Sequence, residues 1–412
     1  MRGIFIATGS RGDLYPVLGL GSALREAGHN ATVITTGNFE PEVRAAGLEF
    51  IEIADAATYA RLIHWAETVW LRSRSLRRWP EESVATLIEL RERLVDVVIR
   101  LEPTDSTFLA VTVGLDLGVG DIIAQRFRIP KVGIWINAHQ LSVARPRVPR
   151  ALTPIPRMLL NGFLRLWPEG RILRRHDAAL RRRLGIPPEP DLAKAMFSFD
   201  LDVSLFPAWY LPGHVRRAGM TFVGFPLFEP ASDMPSELVA FLDSGEPPIV
   251  FSNASWRSNL EDYYATALKA ARQLGFRAVF AGASSPVLPT DHGEAISIDF
   301  APFNQLLSRA AALVHHGGIG TVARAMAEAT PQLVVPWTGD QPFNAARVES
   351  LGVGRKVGSR SSQARFTATL RAVLESQSIR SGSLRVARRL KQGPDYRETL
   401  RGLERIVGGS RL

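Results

Sequence analysis

At 412 residues, 46% of them hydrophobic and 22% charged, the chain is too long for one ordinary core, and domains of about 150 residues suggest two or three. It holds no apolar run near the roughly 18 residues that span a bilayer, and having no cysteine it has no disulfides, thiol nucleophiles or thiolate metal sites. The net charge of +10 comes from arginine, with lysine only at Lys131, Lys194, Lys269, Lys356 and Lys391; no nucleic-acid motif accompanies this compositional habit, so nucleic acid is not an expected partner.

Taken in order, the chain opens on MRGIFIATGS, whose apolar stretch is too short for a signal peptide. It reads as a buried strand over 3–8, and the missing leader favours the cytoplasm. A glycine-bearing turn follows, then a helix expected from near Tyr15. Further strands are expected at Ala31–Thr35, Leu48–Ile53, Phe108–Val113 and Lys131–Ile136, with Leu201–Phe206 closing the half. Between Arg145 and Arg183 arginine is dense and interleaved with Leu, Phe and Trp. That stretch reads either as a solvated helix pair or as a basic amphipathic face resting on an anionic membrane. Phe225–Pro235, rich in Pro, Asp and Ser, reads as a linker.

A second series of strands is expected at Pro248–Ser252, Arg277–Phe280, Ala295–Ile298, Ala312–Val314, Gln332–Val335 and Gly354–Val357, with helices such as Leu260–Leu274 and Gly320–Ala329 between them. Short β-branched runs alternating with amphipathic segments imply parallel sheets. The expected fold class is therefore α/β, two Rossmann-like doubly wound parallel-sheet domains facing a cleft: residues 1–224, a linker 225–237, residues 238–392, and a terminal helix within 393–412 packing back on the first domain. Ligands of such sheets bind beyond the carboxyl ends of the strands, which suits a reaction with two substrates, one in each half.

The most informative segment is Ala312–Asn344. Its strand runs into His315-His316-Gly317-Gly318-Ile319-Gly320-Thr321 and then a helix. Glycines let a ligand approach the backbone, and a helix start offers unpaired N–H groups bearing about half a positive charge, so the junction reads as a diphosphate cradle. His315 is placed to donate to a phosphate oxygen. His316 is open to the same role or to simple packing. Downstream, Asp340-Gln341 can accept from and donate to several hydroxyls of one sugar.

These residues resemble the donor-binding signature of glycosyltransferase family 1, an aromatic-x-Pro segment, then His-x-Gly, then Asp-Gln; Phe300-Ala301-Pro302 supplies its first part. The early Gly9-Ser10-Arg11-Gly12-Asp13-Leu14-Tyr15-Pro16 is similar to the Gly-Asp-x-x-Pro turn of bacterial members. Ser204–Trp209 and Gly224–Phe228 resemble the rhamnosyltransferase branch that builds rhamnolipids from dTDP-L-rhamnose. The resemblance implies the GT-B fold and an inverting transferase whose nucleoside-diphosphate sugar, with UDP or dTDP, is a substrate; no cofactor and no metal are expected. It places Phe300 on the base and His315 on the diphosphate. Gly317, Gly320 and Thr321 supply helix-start contacts, Ser252 and Ser255 face the diphosphate, and Asp340 and Gln341 hold the sugar. Two departures stand out: Ala254 where many relatives have Gly, and Ala323 where plant members have a ribose-binding Glu.

The resemblance puts Asp13 in the position of the catalytic base, the favoured reading; the alternative is a cap of the helix that follows. A free aspartate, with a pKa near 3.9, is a weak base unless burial raises it. Asp116, with Trp65 and Trp135, is a candidate for acceptor contact, and Asp116 and Asp121 also have a structural reading. The aromatics of Tyr59–Trp79 suggest a small hydrophobic acceptor, and with the basic stretch a peripheral membrane contact. Asp200-Leu201-Asp202 superficially matches the metal-binding Asp-x-Asp of another glycosyltransferase class, but here it precedes an apolar strand. A nucleotide-sugar epimerase on the same scaffold and a non-catalytic partner of another transferase stay open, whereas Gly9-x-x-Gly12 lacks the Gly-x-Gly-x-x-Gly of a dinucleotide oxidoreductase. Sequence leaves the oligomeric state open.

Overall fold

The computed structural model describes residues 1–61, 81–113, 118–144, 162, 168–212, 219–252, 260–282 and 293–409. The chain forms two compact units, residues 1–230 with 394–412, and residues 231–393.

The first unit is built on β1 (Arg2–Ile6), followed by α1 (Arg11–Glu26), β2 (Asn30–Thr36), α2 (Glu40–Ala45) and β3 (Glu49–Ala54). After α3 (Glu81–Arg100) come β4 (Thr107–Thr112), α4 (Val119–Phe127), β5 (Lys131–Trp135), α5 (Ala138–Ala144), α6 (Pro168–Leu184), α7 (Leu192–Phe197), β6 (Leu201–Ser204) and β7 (Met220–Phe222). All pairings are parallel, in the order β3-β2-β1-β4-β5-β6-β7. The order reverses between β1 and β4, the switch point at which ligands of such sheets bind. Strands β4 and β5 are buried at every position, as expected of a sheet covered on both faces, which is why their interiors read as apolar runs. The strand β7 is an addition to the expected set: three residues at the sheet edge are too few for periodicity to register.

One arginine of α6, Arg181, is committed internally, while Arg171, Arg175 and Arg182 are exposed. Arg181 pairs with Asp177 and Asp121, both at 2.7–2.8 Å, Asp177 also accepts from Arg91 of α3, and Lys131 of β5 lies 3.7 Å from Asp121. Removing one partner of so buried a network costs roughly 3–5 kcal/mol. Over its described part, the basic stretch is therefore a helix clamped to α3 and α4, and Asp121 is structural. Among the described residues no helix is long and apolar enough to cross a membrane.

The second unit comprises α8 (Ser236–Asp243), β8 (Ile249–Ser252), α9 (Leu260–Leu274), β9 (Ala278–Ala281), β10 (Ala295–Ile298), α10 (Phe303–Leu306), β11 (Ala312–His315), α11 (Ile319–Ala327), β12 (Gln332–Val334), α12 (Gln341–Ser350), β13 (Gly354–Lys356), α13 (Gln363–Leu374) and α14 (Gln377–Leu390). Its parallel order, β10-β9-β8-β11-β12-β13, repeats the same reversal between β8 and β11. Alternation divides the strands between two cores: Ile249, Phe251, Phe280 and Val314 pack with Tyr264 of α9 and Leu370 of α13, while Val250, Val279 and Leu313 face Leu238 and Phe241 of α8. Each fully buried side chain of this kind contributes about 1.5–3 kcal/mol. After α14, the helix α15 (Arg397–Gly409) belongs to the first unit, against β4, β6 and β7.

Candidate active site

In the first unit the site begins at the β1–α1 junction. Asp13 is the third residue of α1, and its Oδ2 accepts from both the backbone N–H and the hydroxyl of Ser10 at 2.9 Å. This reciprocal capping box starts the helix at Arg11, four residues before the expected Tyr15, and places Pro16 inside it. Asp13 is thus a helix-capping residue in this structure. Its Oδ1 makes no hydrogen bond among the described residues. Burial raises its pKa above the usual carboxylate range, while the two Ser10 bonds pull the other way. A half-buried carboxylate of raised pKa, with one oxygen uncommitted at a switch point, has what a general base needs.

Of the residues expected to meet the acceptor, Asp116 and Trp65 lie outside the described residues. Trp135 does not fit that role. It is 0% exposed, its indole N–H donates to Asp202 Oδ1 at 2.7 Å, and its ring stands edge-on to Phe199. An indole so enclosed has no face to offer a ligand. Asp200 Oδ2 accepts from the Lys131 N–H at 2.8 Å, so both carboxylates of the Asp-x-Asp match are structural.

In the second unit the β11–α11 junction brings together much of the expected donor set. Gly317 sits at φ +97°, and a Cβ there would lie 2.7 Å from Val334 Cγ1, so both conformation and space demand glycine. Gly318 is the N-cap of α11 without a side-chain cap, and the first turn carries no acid. The N–H groups of Ile319, Gly320 and Thr321 therefore have no intrahelical partner. A Cβ on Gly320 would meet nothing within 4 Å. The fold does not require that glycine, although a helical glycine costs about 1 kcal/mol relative to alanine, and the space over the helix start is open.

His315 departs from expectation. It is 0% exposed; its Nδ1 accepts from the Gly317 N–H at 3.2 Å, and its Nε2 lies 3.1 Å from Gln332 Oε1. The first bond requires an unprotonated Nδ1, so Nε2 carries the hydrogen and donates to Gln332. Burial, with His316 alongside, lowers its pKa to about 3. It is a neutral imidazole with both nitrogens engaged within the protein, and it pins the turn. Burial also lowers His316, to about 4. His316 Nδ1, Ser252 Oγ and Gln332 Nε2 are buried without a hydrogen-bond partner among the described residues. Each such group costs about 1–3 kcal/mol; Ser252 and His316 lie at the carboxyl ends of β8 and β11, with Ser252 paired in register with His315, while Gln332 opens β12 and reaches the His315 ring.

Asp340 and Gln341 lie at the start of α12, against the Gly317 turn. Gln341 Oε1 accepts from the N–H groups of Trp337 at 2.8 Å and Thr338 at 3.2 Å, which leaves its amide N–H groups as the donors for a ligand. Asp340 Oδ2 accepts from Asn344 at 2.7 Å. Phe300, two residues beyond β10, is 47% exposed and is the aromatic among the exposed large apolar side chains described. Three strand spacings separate β10 from β11, about 14 Å, a span suited to a base stacked at one end and a diphosphate held at the other. Ser255 lies outside the described residues. Ser10, Gln332 and Asn344 were missed by sequence reading. Ser10 carried a signal, the Ser-x-x-Asp spacing of a capping box, and Asn344 another, its place one turn after Asp340; Gln332 carried none.

Residues 4–89 match the model of the glycosyltransferase family 28 N-terminal domain, and residues 288–406 that of the erythromycin biosynthesis protein CIII-like C-terminal domain. The chain is 29% identical over 381 residues to the O-mycaminosyltylonolide 6-deoxyallosyltransferase of Streptomyces fradiae, covering 86% of this chain and 85% of that one. Among solved structures it is similar to the spinosyn forosaminyltransferase SpnP, with a TM-score of 0.71 and 18% identity over 99% of each chain. It is similar also to the glycosyltransferase VinC in complex with dTDP, with a TM-score of 0.69 and 18% identity, covering 99% of this chain and all of that one.

Proposed function

For a chain that belongs to the family 1-type glycosyltransferases of the GT-B fold, we propose that it transfers a sugar, with inversion and without a metal, from a thymidine or uridine diphosphate to a hydroxyl of a small hydrophobic acceptor. The observation that carries this reading is the start of α11, three N–H groups without a hydrogen-bond partner among the described residues, beside the open space at Gly320 and with no acid in the first turn. Such a terminus favours a dianionic leaving group.

In this reading the N–H groups around Gly317, Gly320 and Thr321 hold the diphosphate, with Ser252 and Ser255 beside it, Phe300 stacks on the base, and Asp340 and Gln341 hold the sugar. Asp13 takes the proton of the acceptor hydroxyl. The acceptor oxygen forms its bond to the anomeric carbon as the bond from that carbon to the diphosphate oxygen breaks, and the electron pair leaves on the diphosphate. The raised pKa of Asp13 makes it a stronger base than a free aspartate. Thymidine is favoured over uridine by the resemblance to a VinC structure holding dTDP. The acceptor is read as a hydrophobic natural-product scaffold from the kind of relative that the chain matches.

A thermal-shift panel with dTDP and UDP, followed by transfer assays with the stabilising donor, tests the reading. Expected are stabilisation by dTDP, release of free nucleoside diphosphate only when an acceptor is present, and unchanged turnover in EDTA. Stabilisation by neither nucleotide overturns the donor site. An isomerised donor formed without acceptor indicates an epimerase instead, and loss of turnover in EDTA removes the metal-free mechanism.

A further inference from the structure

The transfer chemistry leaves Asn344 without a role, yet this side chain joins two parts of the donor site. Asn344 lies one turn into α12 and is 1% exposed. Its Nδ2 donates to the carbonyl oxygen of Gly317 at 2.9 Å and to Oδ2 of Asp340 at 2.7 Å. One amide nitrogen has two N–H bonds, and here they go to the diphosphate turn and to the carboxylate assigned to the sugar.

The left-handed Gly317 is thereby held on both sides. The peptide before it is fixed by its N–H donating to His315 Nδ1, the peptide after it by its carbonyl accepting from Asn344. In a planar trans peptide the carbonyl and the next N–H point in opposite directions. With the Gly317 carbonyl turned onto buried Asn344, the Gly318 N–H is turned away from it. A rotation of that peptide would swing the N–H aside and present a carbonyl oxygen, which repels an anion.

We propose that Asn344 is a positioning residue that couples sugar recognition to the diphosphate grip, an inference that rests on the donor reading above. Asp340 keeps the Asn344 amide turned onto Gly317, so the residue that meets the sugar also sets the peptide next to the diphosphate. Because coupling between sites is reciprocal, breaking the Asp340–Asn344 bond weakens a ligand that has no sugar.

The test is titration calorimetry with thymidine, dTDP and dTDP-glucose on the full chain. In Asp340→Ala the affinity for dTDP falls about fivefold, the low end of typical coupling, while thymidine binds as to the wild type. In Asp340→Asn, whose Oδ1 still accepts from Asn344, dTDP affinity stays within about twofold of wild type by the same argument. Asn344→Ala lowers dTDP affinity further, and adding Asp340→Ala to it brings no additional loss. Should Asn344→Ala fail to fold, the two position-340 variants decide the matter alone. If Asp340→Ala binds dTDP as tightly as the wild type, or Asp340→Asn is as impaired as Asp340→Ala, the coupling is overturned while the donor site stands. Wild-type protein that binds none of the three overturns the donor site, and the coupling with it.

Discussion

The two units place the same device, a glycine-bearing turn between a strand and a helix, at the switch point of the same sheet order, and load it with opposite chemistry. At β1–α1 the helix start is answered from within by Asp13, the third residue of the helix, with Ser10 bonded to its Oδ2. At β11–α11 the corresponding third residue is Thr321, the N-cap is glycine, and no acid lies in the first turn. A helix terminus that holds its own carboxylate has no use for a second anion; one left bare draws a ligand's charge. The pH behaviour is opposed as well. Burial raises Asp13, favouring its protonated form, and lowers His315 and His316, favouring their neutral forms. In the proposed reading, base and anion cradle are thus separated by where one carboxylate stands.

The sharpest test of the contrast removes that carboxylate. Asp13→Asn should lower kcat by about a thousandfold, within the range for general-base loss, with donor affinity nearly unchanged. Its melting temperature at neutral pH should rise, because a group whose folded pKa is raised costs stability once pH exceeds its unfolded value near 3.9. The gain should vanish below that pH. Full turnover in this variant would place the base elsewhere.

The converse change makes the second junction resemble the first. Thr321→Asp puts a carboxylate at the third position of α11; dTDP affinity should fall about a hundredfold, since like charges so placed cost several kcal/mol. Stability should hold or increase by about 0.3–1 kcal/mol. Unchanged affinity, measured by calorimetry, would mean that the diphosphate sits somewhere else.

The third expectation concerns pH and the buried imidazoles. Their folded pKa values, about 3 and about 4, lie below the unfolded value near 6.5. Their stabilisation is complete above the unfolded pKa and is lost as pH falls toward the folded ones. Between pH 6.5 and 5 each should cost about 2 kcal/mol of unfolding free energy, followed by urea denaturation. His315→Gln should remove its share of that slope. A flat profile would mean that these rings titrate freely.

Much of the fold was open to inspection in the chain itself, because a strand covered on both faces must be apolar throughout and a covering helix must repeat every 3.6 residues. The expected strands Lys131–Ile136 and Ala295–Ile298 came from such mostly apolar runs and lie on β5 and β10. The start of α1 was missed, although Ser10 and Asp13 already stood at capping-box spacing. Trp135 was misplaced because an aromatic at the end of a strand reads the same whether it faces a ligand or the interior. Asp202 on the neighbouring strand settles which.

From residue order alone came the alternating elements, the two units' worth of parallel strands and the glycines of both junctions. These depend on neighbours within a turn or a few residues, so local spacing encodes them. Folding decided the rest: that His315 spends its hydrogen bonds on Gly317 and Gln332, and that Asn344 reaches from α12 to the Gly317 carbonyl. Gln332 lies 17 residues from His315, and Asn344 27 residues from Gly317. They meet only because β11 pairs with β12 and α12 packs beneath the turn, a juxtaposition that no local pattern records.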